Sequence, residues 1–432
     1  MDLTRLETAR LFHRFGFGPR PGEFASALNV GIAATRVKFF KNPEVDLGLS
    51  EVSSLDVTDL GARPSQLDPR LATYKDEIRR QNADLTTWWL DRMVLADFSL
   101  QEKATWFWHG HWATSIKKLN FALPMYKQHQ TLQKHALGNF DEMVQAMLDD
   151  GALQFWLDGQ ENTAKSPNEN LARELMELFT LGVGRYSETD VKELSRALTG
   201  IQVARTNGEV SFKKNRFDNG VKTILGSSQN FDRYSVGKFL VAQPNSQRFI
   251  AERVWFRYMS SQFPLPKNSE IERAFEGREI RELLMALASS EAMRDTRNEI
   301  VKSPVEWFVA VCRALSITPS KLTKNSALLN YLSKLAQVPF DPPNVGGWPT
   351  DDAWLSSASA QFRASFASWL IKQGDISPIA NLAPAERIQK TADLLGVVEW
   401  SSRTKSALEG NIKDPYRLIL LAICSPEYLV SA

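Results

Sequence analysis

The segment from Asp158 to Glu177 carries the side chains best suited to acid–base chemistry in this sequence. Capping residues before it and glycines after it predict a helix over residues 168–181. With about 100° of rotation per residue, one side of this helix is polar and carries Asn170, Arg173, Glu174, Glu177 and Thr180. The opposite side is apolar and carries Leu171, Leu175, Leu178 and Phe179.

Two carboxylates close together on one helix face can act as general acid and general base, or can bind a hard cation through oxygen. We therefore predict Glu174, Glu177, Asp158 and Asn170 as catalytic candidates, with Asp158 in the polar loop that leads into the helix. The alternative interpretation is an amphipathic surface helix whose acids are solvated or paired with Arg173.

A second candidate segment is the loop at residues 340–349, FDPPNVGGWP. Its two prolines restrict the backbone, and its two glycines permit tight or left-handed geometry. Such a loop can hold Asp341, Asn344 and Trp348 at a binding site, to which Arg173 would add a cation. It can equally lock one helix against another, and the sequence leaves both interpretations open.

The pair His109-x-His111 is the metal-ligand candidate, and a single divalent cation is the cofactor it would bind. Helical residues two apart point about 200° away from each other. The two rings therefore converge only if the helix ends between them, at Gly110. The alternative is that both are hydrogen-bonded histidines among aromatic side chains, and His13 is interpreted as structural in the same way.

Composition limits the classes of function. The chain has 52 basic and 50 acidic residues, a net charge of +2, which argues against a nucleic-acid binder. Two cysteines exclude a disulfide framework. No apolar run is long enough for a membrane span, and the N-terminus lacks a secretory signal. We expect a soluble cytoplasmic protein, or an exported one if a signal was removed, with an unidentified protein or small molecule as its partner.

Helical periodicity dominates the chain and predicts a mainly α fold built as one large multi-helix domain. Asn-Gly between alternating residues predicts one small β hairpin near 201–214, inside an insertion at 200–233. Residues 42–70 lack periodicity and predict an irregular arm. We expect a helical domain over 1–374 and a C-terminal helical extension over 375–432 packed on it. The predicted helices are 4–15, 21–40 (one or two helices), 72–98, 100–109, 121–136, 139–149, 168–181, 187–199, 234–242, 245–261, 268–274, 278–290, 303–315, 323–336, 356–373, 384–395 and 414–424.

Several long motifs make the chain resemble the DUF1800 family, bacterial proteins of uncharacterised function. The motifs occur in order along most of the chain: HRFGFGPRPGEF (13–24), WFWHGHWATS (106–115), HALGNFDEM (135–143), SPNENLARELMELFTLGVG (166–184), SRALTGI (195–201), DNGVKTILG (218–226), VKSPVEW (301–307) and FDPPNVGGWPTDDAW (340–354). The resemblance implies membership of this family and no particular reaction.

Two functional hypotheses follow. In the first, the protein is a hydrolase or group-transfer enzyme with a cleft lined by carboxylates and histidines. In the second, it is a non-catalytic helical scaffold or partner-binding protein, and the same polar residues are structural. The first requires the segment at 158–177, the turn at 109–111 and the loop at 340–349 to lie together.

Overall fold

The protein is described here from a computed structural model, which describes residues 2–323 and 325–431. Its N-terminal half contains α1 (Leu3–Arg14), α2 (Glu23–Val30), α3 (Ile32–Phe40), α4 (Leu47–Ser50), α5 (Arg70–Leu95), α6 (Ser99–His111), α7 (Ile116–Leu119), α8 (Ala122–His135), α9 (Phe140–Leu148), α10 (Gly151–Trp156), α11 (Asn170–Glu174) and α12 (Glu188–Ala197). The remainder contains α13 (Arg233–Ala242), α14 (Pro244–Tyr258), α15 (Glu270–Ala274), α16 (Ile280–Ser289), α17 (Pro304–Ala314), α18 (Asn325–Lys334), α19 (Ser357–Ile371), α20 (Ser377–Ala380), α21 (Pro384–Leu395), α22 (Ser402–Glu409), α23 (Pro415–Ile423) and α24 (Pro426–Leu429).

The mainly α prediction is confirmed, because helices take up 59% of the residues. The predicted hairpin near 201–214 is present as β1 (Ile201–Ala204) paired antiparallel with β2 (Glu209–Phe212). Two further antiparallel pairs were not predicted. One joins β3 (Lys222–Ile224) to β4 (Ser227–Gln229), and the other joins β5 (Ile300–Val301) to β6 (Val430–Ser431).

Local sequence explains where key helices begin. Ser187 and Asp190 form the predicted reciprocal capping box at the start of α12. Ser303 and Glu306 form the same arrangement at α17, where Pro304 occupies the first turn. The predicted helix 323–336 is present over Asn325–Lys334, and position 324 lies outside the described residues.

The hydrophobic core has two large clusters, and α6 contributes to both. Phe107, Trp108 and Trp112 belong to the first cluster, with α9, α12 and α14. Trp106 belongs to the second cluster, with α5, α17 and α19. Helix α6 therefore lies between the two halves of the core and contributes side chains to each of them.

The C-terminal helices share the second cluster with the body of the protein. Leu395 of α21 and Ile419 of α23 are fully buried in the same cluster as Phe308 of α17 and Phe366 of α19. The short β5–β6 pair adds backbone hydrogen bonds between the two parts. A boundary at residue 374 stays a prediction.

None of the helices in the described part of the chain is long and apolar enough to cross a bilayer. Residues 42–70 form no regular element except α4. Asp46 fixes this arm to the body, since its carboxylate accepts hydrogen bonds from the backbone N–H groups of Asp97 and Phe98 at 2.9 Å each.

Candidate functional site

The helix that carries the acidic candidates changes geometry halfway along. Residues 170–174 are α-helical, and Leu175–Thr180 then form a π-helix, in which each turn contains an extra residue. The Thr180 hydroxyl donates to the Leu175 carbonyl at 2.5 Å, and this threonine is fully buried. The sequence predicted Thr180 on the polar side of the helix, but in the structure its side chain lies in the core. Glu174 and Glu177 stay half-exposed.

Glu174 and Glu177 form an acidic pair with Tyr186. The Tyr186 hydroxyl donates to Oε2 of Glu177 at 2.5 Å. In the part of the chain that the structure describes, no group donates a hydrogen bond to the Glu174 carboxylate. Partial burial, and then the charge of Glu177, raise the pKa of Glu174 above its ordinary value. The pair thus combines a carboxyl whose pKa is raised with a carboxylate that accepts a hydrogen bond from a phenol.

Asp158 lies before this helix, in a left-handed backbone conformation with φ of 59°. Its carboxylate accepts from Lys118 Nζ at 2.5 Å and from the Asn170 side-chain amide at 3.3 Å. Lys118 also donates to the Trp156 carbonyl. Asp158 and Asn170 are therefore brought together as predicted, with a lysine that the sequence analysis did not place there.

Arg173 lies on the outer side of the same helix. Its guanidinium donates to Glu169 at 3.0 Å and to both carboxylate oxygens of Glu188, at 2.8 and 2.9 Å. The Arg173 guanidinium is therefore already paired with two carboxylates of the protein itself. Arg173 remains a predicted binding residue, and any ligand has to compete with these two acids.

The loop at 340–349 lies against α6 and α7. Asp341 accepts from the Ser115 hydroxyl at 3.2 Å and pairs with Lys117 Nζ at 2.8 Å. Asn344 is exposed, and its side-chain oxygen accepts from the Gly346 N–H at 2.8 Å, so it shapes the loop's own turn. The structure places Asp341 and Asp158 against the adjacent lysines 117 and 118.

His109 and Trp348 belong to an aromatic cluster beneath this loop. The His109 Nε2 accepts from the Phe340 N–H at 3.0 Å. Burial lowers the pKa of His109 to about 3, so the ring is neutral at physiological pH. Trp348 stacks on Trp106 with ring centres 5.1 Å apart. Its indole Nε1 is buried and finds no acceptor among the described residues.

His111 points the other way, into the first core cluster. Because α6 continues through Gly110 to His111, the two rings lie on opposite sides of the helix. The His111 Nε2 contacts the Phe179 carbonyl at 3.1 Å, and burial lowers its pKa to about 3. The structure does not bring His109 and His111 together. Within residues 2–323 and 325–431, no group of three or more His, Cys, Asp or Glu side chains is arranged to hold a metal ion.

All three predicted segments meet around residues 109–118. His111 contacts the π-helix through Phe179, His109 contacts the loop through Phe340, and Lys118 contacts Asp158. The candidate residues that remain accessible around this junction are carboxylates, amides, Arg173 and Trp348, whereas both histidines are buried. We call the accessible set the signature face: Asp158, Asn170, Arg173, Glu174, Glu177, Asp341, Asn344 and Trp348.

The motifs that form this junction are part of a longer match to one protein family. A family model described as a protein of unknown function, DUF1800, matches residues 10–430. The chain belongs to the DUF1800 family. No curated protein and no solved structure matches it. The DUF1800 match extends past residue 374 to the last helix, so it includes the predicted C-terminal extension.

A cleft of about 530 Å³ lies elsewhere in this DUF1800 chain, and no motif of the sequence predicted it. It is lined by His13, Glu299, Lys302, Trp400, Ser401 and Glu427, among others. His13 and Lys302 belong to two of the motifs that carry the family resemblance. Their presence in those motifs was the available signal, but residues nearly 290 positions apart show no spacing that predicts proximity.

Replacing Glu174 with glutamine is expected to leave the protein as stable as the wild type at pH 7, or slightly more stable. The raised pKa of Glu174 means that the folded state binds more protons than the unfolded chain above about pH 4.3. Wild-type stability therefore falls as pH rises through this window. Because the side chain is half-exposed, the gain should stay below about 1 kcal/mol. Urea unfolding at pH 7 and pH 4 tests this, since the gain should vanish at the lower pH.

Proposed function

We propose that the protein is a hydrolytic or group-transfer enzyme acting on a polar substrate at the signature face, with Glu174 as general acid and Glu177 as general base. The carrying observation is the raised pKa of Glu174 beside a second carboxylate that Tyr186 holds in place. Environments that separate the protonation behaviour of two neighbouring carboxyls are typical of acid–base pairs in enzymes.

The cost of this arrangement supports the proposal. A half-buried carboxyl beside a like charge, with no donor among the described groups, lowers stability. The same helix departs from α geometry over Leu175–Thr180, and π-helical turns are frequent at functional sites. Features that reduce stability without serving packing are often retained for activity.

In the proposed reaction, protonated Glu174 donates its proton to the leaving group of the substrate. Glu177 accepts a proton from the attacking water or hydroxyl through Oε1, because Oε2 accepts the Tyr186 hydrogen bond. Asp158 and Asn170 lie N-terminal to Glu174, beside Lys118, and would bind the polar groups of the substrate.

The second candidate is the scaffold function, and the junction around residues 109–118 favours it. Several signature-face residues are engaged within the protein: Asp158 with Lys118, Asp341 with Lys117, and Arg173 with Glu188. In this alternative, the ion pairs and hydrogen bonds of the signature face fix the two halves of the core relative to each other. Glu174 distinguishes the two candidates, because in the described structure it is the carboxylate of the face that neither forms an ion pair nor accepts a hydrogen bond.

The test is hydrolysis of a panel of chromogenic p-nitrophenyl esters, phosphates and glycosides by the full chain, with EDTA and with added Mg²⁺. We expect turnover of one class, and Glu174→Gln should lower kcat about 100-fold because it removes the proton donor. Glu161→Gln, an exposed acid in the preceding loop, is the matched control and should retain full activity. Equal activity of Glu174→Gln and the wild type would refute the assigned role. Loss of folding in Glu174→Gln would favour the scaffold.

A further inference from the structure

The cleft of about 530 Å³ is separate from the signature face and shares none of its residues. It lies where α1, the start of α17 and the C-terminal segments 396–402 and 426–430 meet. Its volume is within the range of small-molecule sites. Apolar lining comes from Ala9, Val397, Val398 and Val430, and polar lining comes from three glutamates, two serines, His13 and Lys302.

Lys302 is the unusual group in this cleft. Only 5% of the residue is exposed, and its Nζ donates to the Tyr428 carbonyl and lies 4.6 Å from the centre of the Tyr428 ring. The nearby buried carboxylate, Glu306, pairs with Lys103 at 2.5 Å. No carboxylate in the described structure forms an ion pair with Lys302, and Glu306, whose charge acts on this amine, pairs with Lys103 instead.

Two physical causes favour the neutral amine. Burial disfavours the ammonium form, and the positive charge of Lys103 adds to this effect, so that the pKa of Lys302 falls to about 7. The lowered pKa increases the share of neutral Lys302 amine at physiological pH. A buried, neutral lysine beside a cleft is a nucleophile, in contrast to the charged lysines of the surface.

His13 also lines this cleft, and one of its ring nitrogens is buried without a partner among the described residues. Its Nε2 lies 2.9 Å from the Leu395 carbonyl, so this nitrogen carries the proton. Nδ1 is then an acceptor, and it is buried without a partner among the described residues. Burial lowers the pKa of His13 well below its ordinary value, which keeps the ring neutral. A buried polar atom without a partner lowers stability unless a ligand or water satisfies it.

We propose that this cleft binds a small neutral aldehyde or ketone, and that Lys302 forms an imine with it. The neutral Nζ attacks the carbonyl carbon and forms a carbinolamine. The carbon–oxygen bond then breaks, and the oxygen leaves as water with the two hydrogens that the amine loses. The product is a carbon–nitrogen double bond, with no change of oxidation state.

The charge of the lining selects the class of carbonyl compound. Glu299 and Glu399 are exposed at the cleft, and Glu427 is partly exposed beside them. These three carboxylates disfavour a ligand that itself carries a carboxylate or phosphate. The hydroxyls of Ser401 and Ser402 can bind a neutral, hydroxylated compound.

The experiment uses two small aldehydes that differ mainly in charge, neutral glycolaldehyde and anionic glyoxylate. The full chain is incubated with each at neutral pH in the presence of sodium cyanoborohydride, and peptide mass spectrometry locates the reduced adduct. With glycolaldehyde, Lys302 should be labelled at least about 10-fold faster than exposed Lys238. The ratio of Lys302 to Lys238 labelling should be lower with glyoxylate.

Two variants complete the test. Lys302→Met should lose the fast label while Lys238 is labelled as before. Ser402→Trp places a bulky side chain at the cleft, keeps Lys302, and should also suppress the fast label, so it decides the matter if Lys302→Met fails to fold. Equal labelling of Lys302 and Lys238 in the wild type would overturn the proposal. A higher ratio with glyoxylate would overturn the assigned ligand class.

Discussion

Replacing Glu306 with glutamine is expected to lower the free energy of unfolding by about 3–5 kcal/mol. The Glu306 carboxylate pairs with Lys103 at 2.5 Å and accepts from the Ser303 N–H at 3.0 Å. Lys103 and Lys302 are both nearly inaccessible to solvent. Glutamine preserves the shape and can still accept from Ser303, but it leaves Lys103 buried without a negative charge. Removal of one partner of a buried pair is costly for this reason.

Urea unfolding monitored by tryptophan fluorescence measures this loss. The matched control is Glu252→Gln, which removes a half-exposed carboxylate from a pair with Arg248 at 2.6 Å. Exposed pairs between helical residues four apart contribute about 0.3–0.5 kcal/mol, so the control should be close to the wild type. A loss below about 1 kcal/mol in Glu306→Gln would mean that water or another group screens Lys103.

The same carboxylate predicts how acid affects stability. Burial raises the pKa of Glu306, but the charges of Lys103 and Arg257 outweigh this and hold it at about 2, against an ordinary value of about 4.3. Between these two values the unfolded chain binds more protons than the folded one, so stability falls as pH falls. The contribution of Glu306 is fully present above about pH 5 and is lost toward pH 2. The stability difference between the wild type and Glu306→Gln should therefore narrow in that window.

Helix positions were accessible to sequence reasoning because amphipathic periodicity and capping residues are local signals. The predicted helix at 72–98 is α5, Arg70–Leu95, and the predicted hairpin is β1–β2. The pairing of β5 with β6 was not accessible, since two-residue strands 130 positions apart carry no alternation to detect. The strands of the second hairpin, β3–β4, have only three residues each, which is too short for an alternating pattern to be detected.

At the candidate site, helical periodicity no longer predicts which side of the helix each residue occupies. The assumption of 3.6 residues per turn holds for Asn170–Glu174 and fails at Leu175, where the π-helix begins. Tertiary contacts to Phe179 and Thr180 accompany this change, and a single sequence does not report them. The same limit applies to Lys302, whose pKa is lowered first by burial and then by the charge of Lys103, about 200 positions earlier in the chain.

Replacing Gly347 with alanine is expected to lower the free energy of unfolding by about 3–5 kcal/mol, whereas the same change at neighbouring Gly346 should cost less than about 1 kcal/mol. Gly347 has φ of 86°, a conformation that disfavours a side chain, and an added Cβ would lie 2.5 Å from the Gly110 carbonyl oxygen. At Gly346 the nearest atom is the flexible Asn344 side-chain oxygen, at 3.1 Å. The two variants thus differ in backbone strain and contact, and hardly in composition.

This matched pair tests whether the loop at 340–349 is docked on α6, since thermal or urea unfolding reports the difference directly. If both variants match the wild type, the loop does not pack on Gly110, and Asp341, Asn344 and Trp348 are free to rearrange around a ligand. If only Gly347→Ala is destabilised, the loop is held at the junction of the two core clusters. Trp348 then remains stacked on Trp106, so any contribution of this loop to binding uses side chains already fixed in position before a ligand arrives.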